Sequence, residues 1–97
     1  MKSTVKDNTL GFIFSERLDT VAAMSLQKEI TDVIAANDDS MPVVFDFGGV
    51  DYIASGFIRI CIIVVRMKGK NFRILNVKPE VRKVLLISGL DRLIDIE

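Results

Sequence analysis

Residues 45–59 read FDFGGVDYIASGFIR, Phe45 to Arg59, and the fold turns on how this stretch divides. Val43 to Phe47 is a β-branched and aromatic run suited to an interior strand, and Gly48-Gly49 closes it. Beyond the turn, Phe57 to Val65 reads FIRICIIVV. Isoleucine and valine favour strands, and apolar residues in unbroken succession cannot all face one side of a helix, so propensity alone makes this segment a strand. Topology argues otherwise. A strand that ends in a turn and is followed by a parallel partner needs a crossover, ordinarily a helix. The segment is therefore predicted as a helix over Ser55 to Met67, with Ser55 at or within one residue of its N-cap and Val43 to Phe47 as the central strand feeding it. A helix apolar all round must be buried, or must leave an apolar face for a partner.

Working outward, Ser3 to Lys6 and Leu10 to Phe14 read as two strands of a hairpin joined by Asp7-Asn8-Thr9, because Asp and Asn tolerate the backbone angles of a tight reversal. From Thr20 to Ala36, apolar Ala23, Leu26, Ile30, Val33 and Ile34 recur at helical spacing, with Gln27, Lys28, Glu29, Thr31 and Asp32 opposite. Asp19 or Thr20 is placed to cap that helix, and Asn37 to Ser40 is a polar loop at its end. Asp46 interrupts its strand and reads as a structural acid, hydrogen-bonded at the strand's carboxyl end. Phe72 to Val77 is the next strand. Pro79 to Ser88 is a helix with proline in its first turn and Gly89 just past its end, and Ile94 to Ile96 is a last short strand. The fold class that follows is α/β, a single domain over residues 1–97 with a four- or five-stranded mixed sheet covered by about three helices.

Composition narrows the chemistry. A chain of 97 residues with 49% hydrophobic content builds one core, and its single cysteine, Cys61, rules out an internal disulfide framework and suits a reducing interior. Without histidine the commonest general base and metal ligand are missing. Gly48-Gly49 is followed by no Gly-Lys-Ser/Thr and so is not a phosphate-binding loop, and no pair of acids is spaced as an acid–base dyad. The chain reads as a binding protein rather than an enzyme, with no cofactor and no metal. Cys61 reads as a small core residue. The longest apolar run is far short of the ~20 residues that span a bilayer, and no signal peptide is evident, so a cytoplasmic protein is expected.

Charge is divided between the halves, with nine acidic and four basic residues over 1–51 and the reverse over 52–97. Arg66, Lys68, Lys70, Arg73, Lys78, Arg82 and Lys83 form a basic stretch, but only Phe72 is interleaved among them and the pI is 6.2. They read as solvated ends and outer faces, not as a nucleic-acid surface.

Three further segments join the opening one in a resemblance. Arg17-Leu18-Asp19-Thr20, Pro79 to Leu85, and Ser88-Gly89-Leu90 fall, with Phe45 to Arg59, in the order and spacing of the STAS domain family, whose anti-sigma factor antagonists carry a strand, a turn and a helix with a serine at the helix N-terminus. The family's Asp-Ser-Ser-Gly signature aligns without a gap on Ala54, Ser55, Gly56 and Phe57. The serine is kept and its acidic neighbour is lost, while Phe57 and Arg59 stand at small glycine positions of the family. Family domains usually continue into a further helix past the position of Glu97.

The resemblance implies a phosphorylation-switched antagonist in which Ser55 is the phosphoacceptor and an anti-sigma factor, often itself a serine kinase, is the partner. Asp19, Tyr52, Ala54, Gly56, Phe57 and Arg59 are the expected partner contacts, with Arg59 steering an acidic surface. A homodimer or a stable hetero-complex through a helical face is expected as well, from the apolar girth of the second helix. Two alternatives accompany this reading. Ser55 can serve as a side-chain cap of its helix, a role compatible with the switch, and the domain can instead be a non-switching STAS scaffold subunit of a larger phospholipid-transport or signalling assembly in which Ser55 is only a cap.

Overall fold

The computed structural model describes residues 1–97. Strands β1 (Lys2–Lys6) and β2 (Thr9–Ile13) form a hairpin whose two-residue loop, Asp7 and Asn8, has φ of 52° and 58°. Positive φ at both loop residues matches the right-handed twist of the strands, and Asp and Asn accept it at low cost. Helix α1 (Thr20–Ala35) leads to β3 (Val43–Asp46), α2 (Ser55–Lys68) to β4 (Phe72–Leu75), and α3 (Pro79–Ile87), followed by a single 3-10 turn at Leu90–Arg92, to β5 (Asp95–Ile96). The sheet order is β1-β2-β3-β4-β5, antiparallel in the hairpin and parallel thereafter. Val43 to Asp46 is thus the central strand, and the β-branched run after Ser55 is helical, as the crossover argument requires.

Each parallel step moves one strand further in the same direction, so right-handed crossovers place the three helices on one face of the sheet. Burial shows which face. Leu10, Val43 and Phe72 lie in register, as do Phe12, Phe45 and Ile74, and all six are at most 1% exposed. Their neighbours Gly11, Val44, Arg73 and Leu75, which point the other way, are exposed or half-buried. The shortest dimension of the molecule is 21 Å, as expected for one sheet and one helix layer.

All six phenylalanines are buried beneath the helices. Phe45 is the hub, with ring centroids 4.7 Å from Phe72, 5.0 Å from Phe14 and 5.5 Å from Phe12 in edge-to-face geometry. Phe57 brings α2 into the cluster at 5.3 Å from Phe14. Such pairs add to burial because the electropositive ring edge meets the electronegative face. At the other end of α2, Lys68 Nζ donates to the carbonyls of Met41 at 2.9 Å, Asp39 at 3.1 Å and Asp38 at 3.3 Å, which ties the α1–β3 loop to the helix.

Three of the seven residues in the basic stretch have structural bonds: Lys68 as above, Arg82 through both terminal nitrogens to the Ile96 carbonyl, and Lys78 to Asp51 at 2.6 Å. Element ends differ from expectation by one or two residues. β2 starts at Thr9 and stops at Ile13, because Asp7 and Asn8 alone make the turn, and β4 stops at Leu75, because Asn76 turns to φ 59°. The apolar exposure foreseen for α2 lies mainly elsewhere. Ile58, Ile62 and Val65 pack on the core while Val21 (75% exposed) and Met24 (79%) on α1 and Ile87 (87%) on α3 face solvent.

Removing the ring that docks α2 tests this layout. Phe57→Ala is expected to lower the unfolding free energy by about 3–5 kcal/mol, measured by urea denaturation with the slope unchanged.

Candidate functional site

The loops before α1 and α2 are bound side by side. Leu18 N–H donates to the Tyr52 carbonyl at 2.9 Å, Ala54 N–H donates to the Leu18 carbonyl at 2.8 Å, and Leu18 and Ile53 form a parallel bridge. Gly49 makes this approach possible: a Cβ there would stand 2.9 Å from Ser15 Cα and 3.1 Å from the Phe14 carbonyl oxygen. The consequence is that two helix N-termini, each the electropositive end of a helix dipole, open on the same edge of the molecule.

They are finished differently. Asp19 is the N-cap of α1 and accepts from Ala22 N–H at 2.9 Å. The N-cap of α2 is Ala54, with φ −98° and ψ 162°, and it offers no side-chain acceptor. Ser55 is the first helical residue, exposed, with its hydroxyl in no hydrogen bond with the protein. The reading of Ser55 as a side-chain cap is therefore corrected: one residue past the N-cap, the side chain has left the position from which it can reach back to the N2 and N3 amides. No acidic residue stands in the first turn of α2, while Arg66 and Lys68 lie in its last turn, so its dipole is complemented at the C-terminus only.

The expected contacts sort by geometry. Arg59 lies one turn beyond Ser55, exposed and in none of the ion pairs. Tyr52 is 43% exposed, with the Arg17 guanidinium 4.2 Å above its ring centroid. Gly56 packs inward on α1, where a Cβ would come within 3.5 Å of Ala23 Cβ, and Ala54 is half-buried. Asp19 is partly buried and has one carboxylate oxygen committed to its cap. Phe57 is a correction. It is 0% exposed and belongs to the aromatic cluster, because two residues along a helix turn the side chain about 200°, from the surface at Ser55 to the core.

Sequence reasoning missed Arg17, and also Val21 and Met24, which stand on the exposed side of α1 near the same edge. The signal was available: both lie off the apolar stripe of Ala23, Leu26, Ile30 and Ile34. Asp46 does act structurally, accepting from Gly48 N–H at 2.9 Å and Asn76 Nδ2 at 3.1 Å. Cys61 is fully buried, and burial in apolar surroundings pushes its thiol far up, so it stays neutral in the folded chain.

The family model of the STAS domain matches residues 1–97, and the chain belongs to that family. Its fold is similar to that of the anti-sigma factor antagonist SpoIIAA in its unphosphorylated form, with a TM-score of 0.80 and 20% sequence identity over 99% of this chain and 86% of the other. It is also similar to that of an anti-sigma-factor antagonist (STAS) domain protein from Planctomyces limnophilus, at 0.73 and 18% over 99% and 88%. No curated protein sequence matches the chain. No helix is long and apolar enough to cross a membrane.

Two expected outcomes follow from the ends and core of α2. Ala54→Asp supplies the missing cap at a backbone geometry that suits it and should raise stability by about 1 kcal/mol, read from chemical denaturation. For Cys61 the folded thiol pKa is raised, so its contribution is intact below the unfolded thiol value, near 8.5, and is lost as pH rises above it. Relative to Cys61→Ala, the unfolding free energy should fall by up to about 1.4 kcal/mol per pH unit in that range.

Proposed function

We propose that the chain is a phosphorylation-switched antagonist that binds an anti-sigma factor with its α1–α2 edge and releases it when Ser55 is phosphorylated. The observation that carries the reading is the free hydroxyl of Ser55 on the uncapped, acid-free first turn of a helix held in place by Phe57. A phosphate there meets unpaired backbone amides and the positive end of the dipole, so the fold tolerates it, while the surface offered to a partner changes from neutral to about −1.5 to −2 charges. The likeness to the anti-sigma factor antagonist SpoIIAA and to the anti-sigma-factor antagonist domain protein from Planctomyces limnophilus supports the same reading.

In the switching step the γ-phosphoryl group of ATP passes to Ser55 Oγ, ADP leaves, and the hydroxyl proton goes to a base on the kinase. The kinase is the anti-sigma factor itself in this reading, which places the domain in the cytoplasm. Arg59, Tyr52 with Arg17, and the exposed Val21 and Met24 form the surface around the serine, with the apolar pair supplying desolvation and Arg59 steering an acidic partner. Asp19, Ala54 and Gly56 shape this surface through the two helix starts; Phe57 supports it from below.

Ser55→Asp is expected to weaken binding to the anti-sigma factor by roughly 5- to 150-fold, equivalent to about 1–3 kcal/mol, and Ser55→Ala to keep wild-type affinity, as measured by calorimetry with the partner that co-purifies. Equal affinities for the two variants would remove the switch and leave the scaffold reading.

A further inference from the structure

A sheet with four parallel strands ordinarily has both faces covered. Here the face opposite the helices is open, and its residues are ordered by charge across the strands. One row runs Thr4, Gly11, Val44, Arg73, Asp95 in direct register. The adjoining row runs Lys2, Ile13, Asp46, Leu75. Lys2 and Lys6 flank Thr4 on the β1 side, with no ion-pair partner, and Asp95 stands exposed on the β5 side, also without one. Apolar Ile13, Val44 and Leu75 lie between them. Gly11 leaves a shallow depression of about 200 Å³ on this face, bounded by Thr4, Thr9, Ile13, Val44 and Asp46 among others.

We propose that this open face is a self-association surface on which a second copy of the chain packs sheet to sheet, about a two-fold axis running along β3. The charge order singles out this occupant. A two-fold along the central strand lays β1 of one copy over β5 of the other and β2 over β4. Asp95 of the second copy then falls opposite Thr4, between Lys2 and Lys6, and the same match recurs on the other side of the axis. Val44 meets Val44, and Ile13 meets Leu75. Arg73 of the second copy falls over Gly11, where the depression has room for a guanidinium, and the Asp46 carboxylate stands at its wall. A uniformly acidic or basic partner would face repulsion at one edge or the other; the same face turned over matches opposite charges at both edges, and its one like-charge contact, Asp46 across the axis from Asp46, is flanked by Arg73 of each copy.

The size of the face sets the strength. Five strands about 4.8 Å apart and about 15 Å long give a footprint on the order of 300 Å² per copy, which belongs among weak and transient contacts rather than obligate dimers. The helical layer, with Ser55, remains free in the dimer, so this inference does not rest on the proposed switch.

Sedimentation equilibrium from micromolar to millimolar concentration tests it. The wild-type chain should show a salt-sensitive monomer–dimer equilibrium, weakened roughly tenfold or more by Asp95→Lys and by Gly11→Val, which fills the depression. Combining Asp95→Lys with Lys2→Glu and Lys6→Glu should restore it. Met24→Lys and Ile87→Lys, on the helical side, should leave it unchanged. A strict monomer at every concentration, no recovery in the triple variant although it folds, or loss of association only in the helical-side variants would overturn the proposal.

Discussion

The packing of Phe57 against Phe14 and Phe45 is the constraint on which the rest of this small domain depends. Helix α2 has no side-chain cap, no acid in its first turn and a core sequence rich in β-branched residues, so little in its local chemistry favours helix at that end. Tertiary burial outweighs this. Phe57, Ile60, Cys61 and Val64 fall on one stripe and are fully buried, and removing four such side chains from water contributes several kcal/mol where propensity costs a few tenths per residue. Lys68, bonded to three carbonyls of the α1–β3 loop, fixes the far end.

That rigidity is what gives the exposed N-terminus of α2 a meaning. A serine on a frayed segment would add a charge to no defined place. Ser55 instead sits at a set point between two loops tied by the Leu18–Ile53 bridge, which the bare backbone of Gly49 allows to come close. The site is kept polar-poor by construction: Ala54 supplies no carboxylate, Asp19 turns an oxygen inward to cap α1, and the nearest free charge on α2 is the positive Arg59. A new anion therefore changes the electrostatics of this edge more than it would beside an existing carboxylate.

The element order was legible because the apolar periods of α1 and α3, the turn residues and the strand run of Val43 to Phe47 each point one way. The α2 segment was legible only through topology, since its isoleucines and valines satisfy a strand as well as a buried helix. Residues near the site were less readable. Phe57 looked like a surface contact from its place beside the serine in sequence, and only the helical rotation between Ser55 and Phe57 sends it into the core. Ser55 looked like a cap because the one-residue difference between N-cap and first helical position is below what sequence resolves. The open sheet face was written in the alternation of Val44 and Asp46 with buried Val43 and Phe45, and of Arg73 and Leu75 with buried Phe72 and Ile74, but its charge order depends on strand register, which a sequence does not display.

The proposed charge switch at Ser55 is tested most directly by site-resolved intact-mass analysis after incubating the folded protein with ATP and the kinase-type anti-sigma factor proposed as its partner. One phosphate is expected, on Ser55, with the complex dissociating as it is incorporated and no incorporation in Ser55→Ala. Phosphate uptake undiminished in Ser55→Ala, or a complex that persists after Ser55 is fully modified, would contradict it.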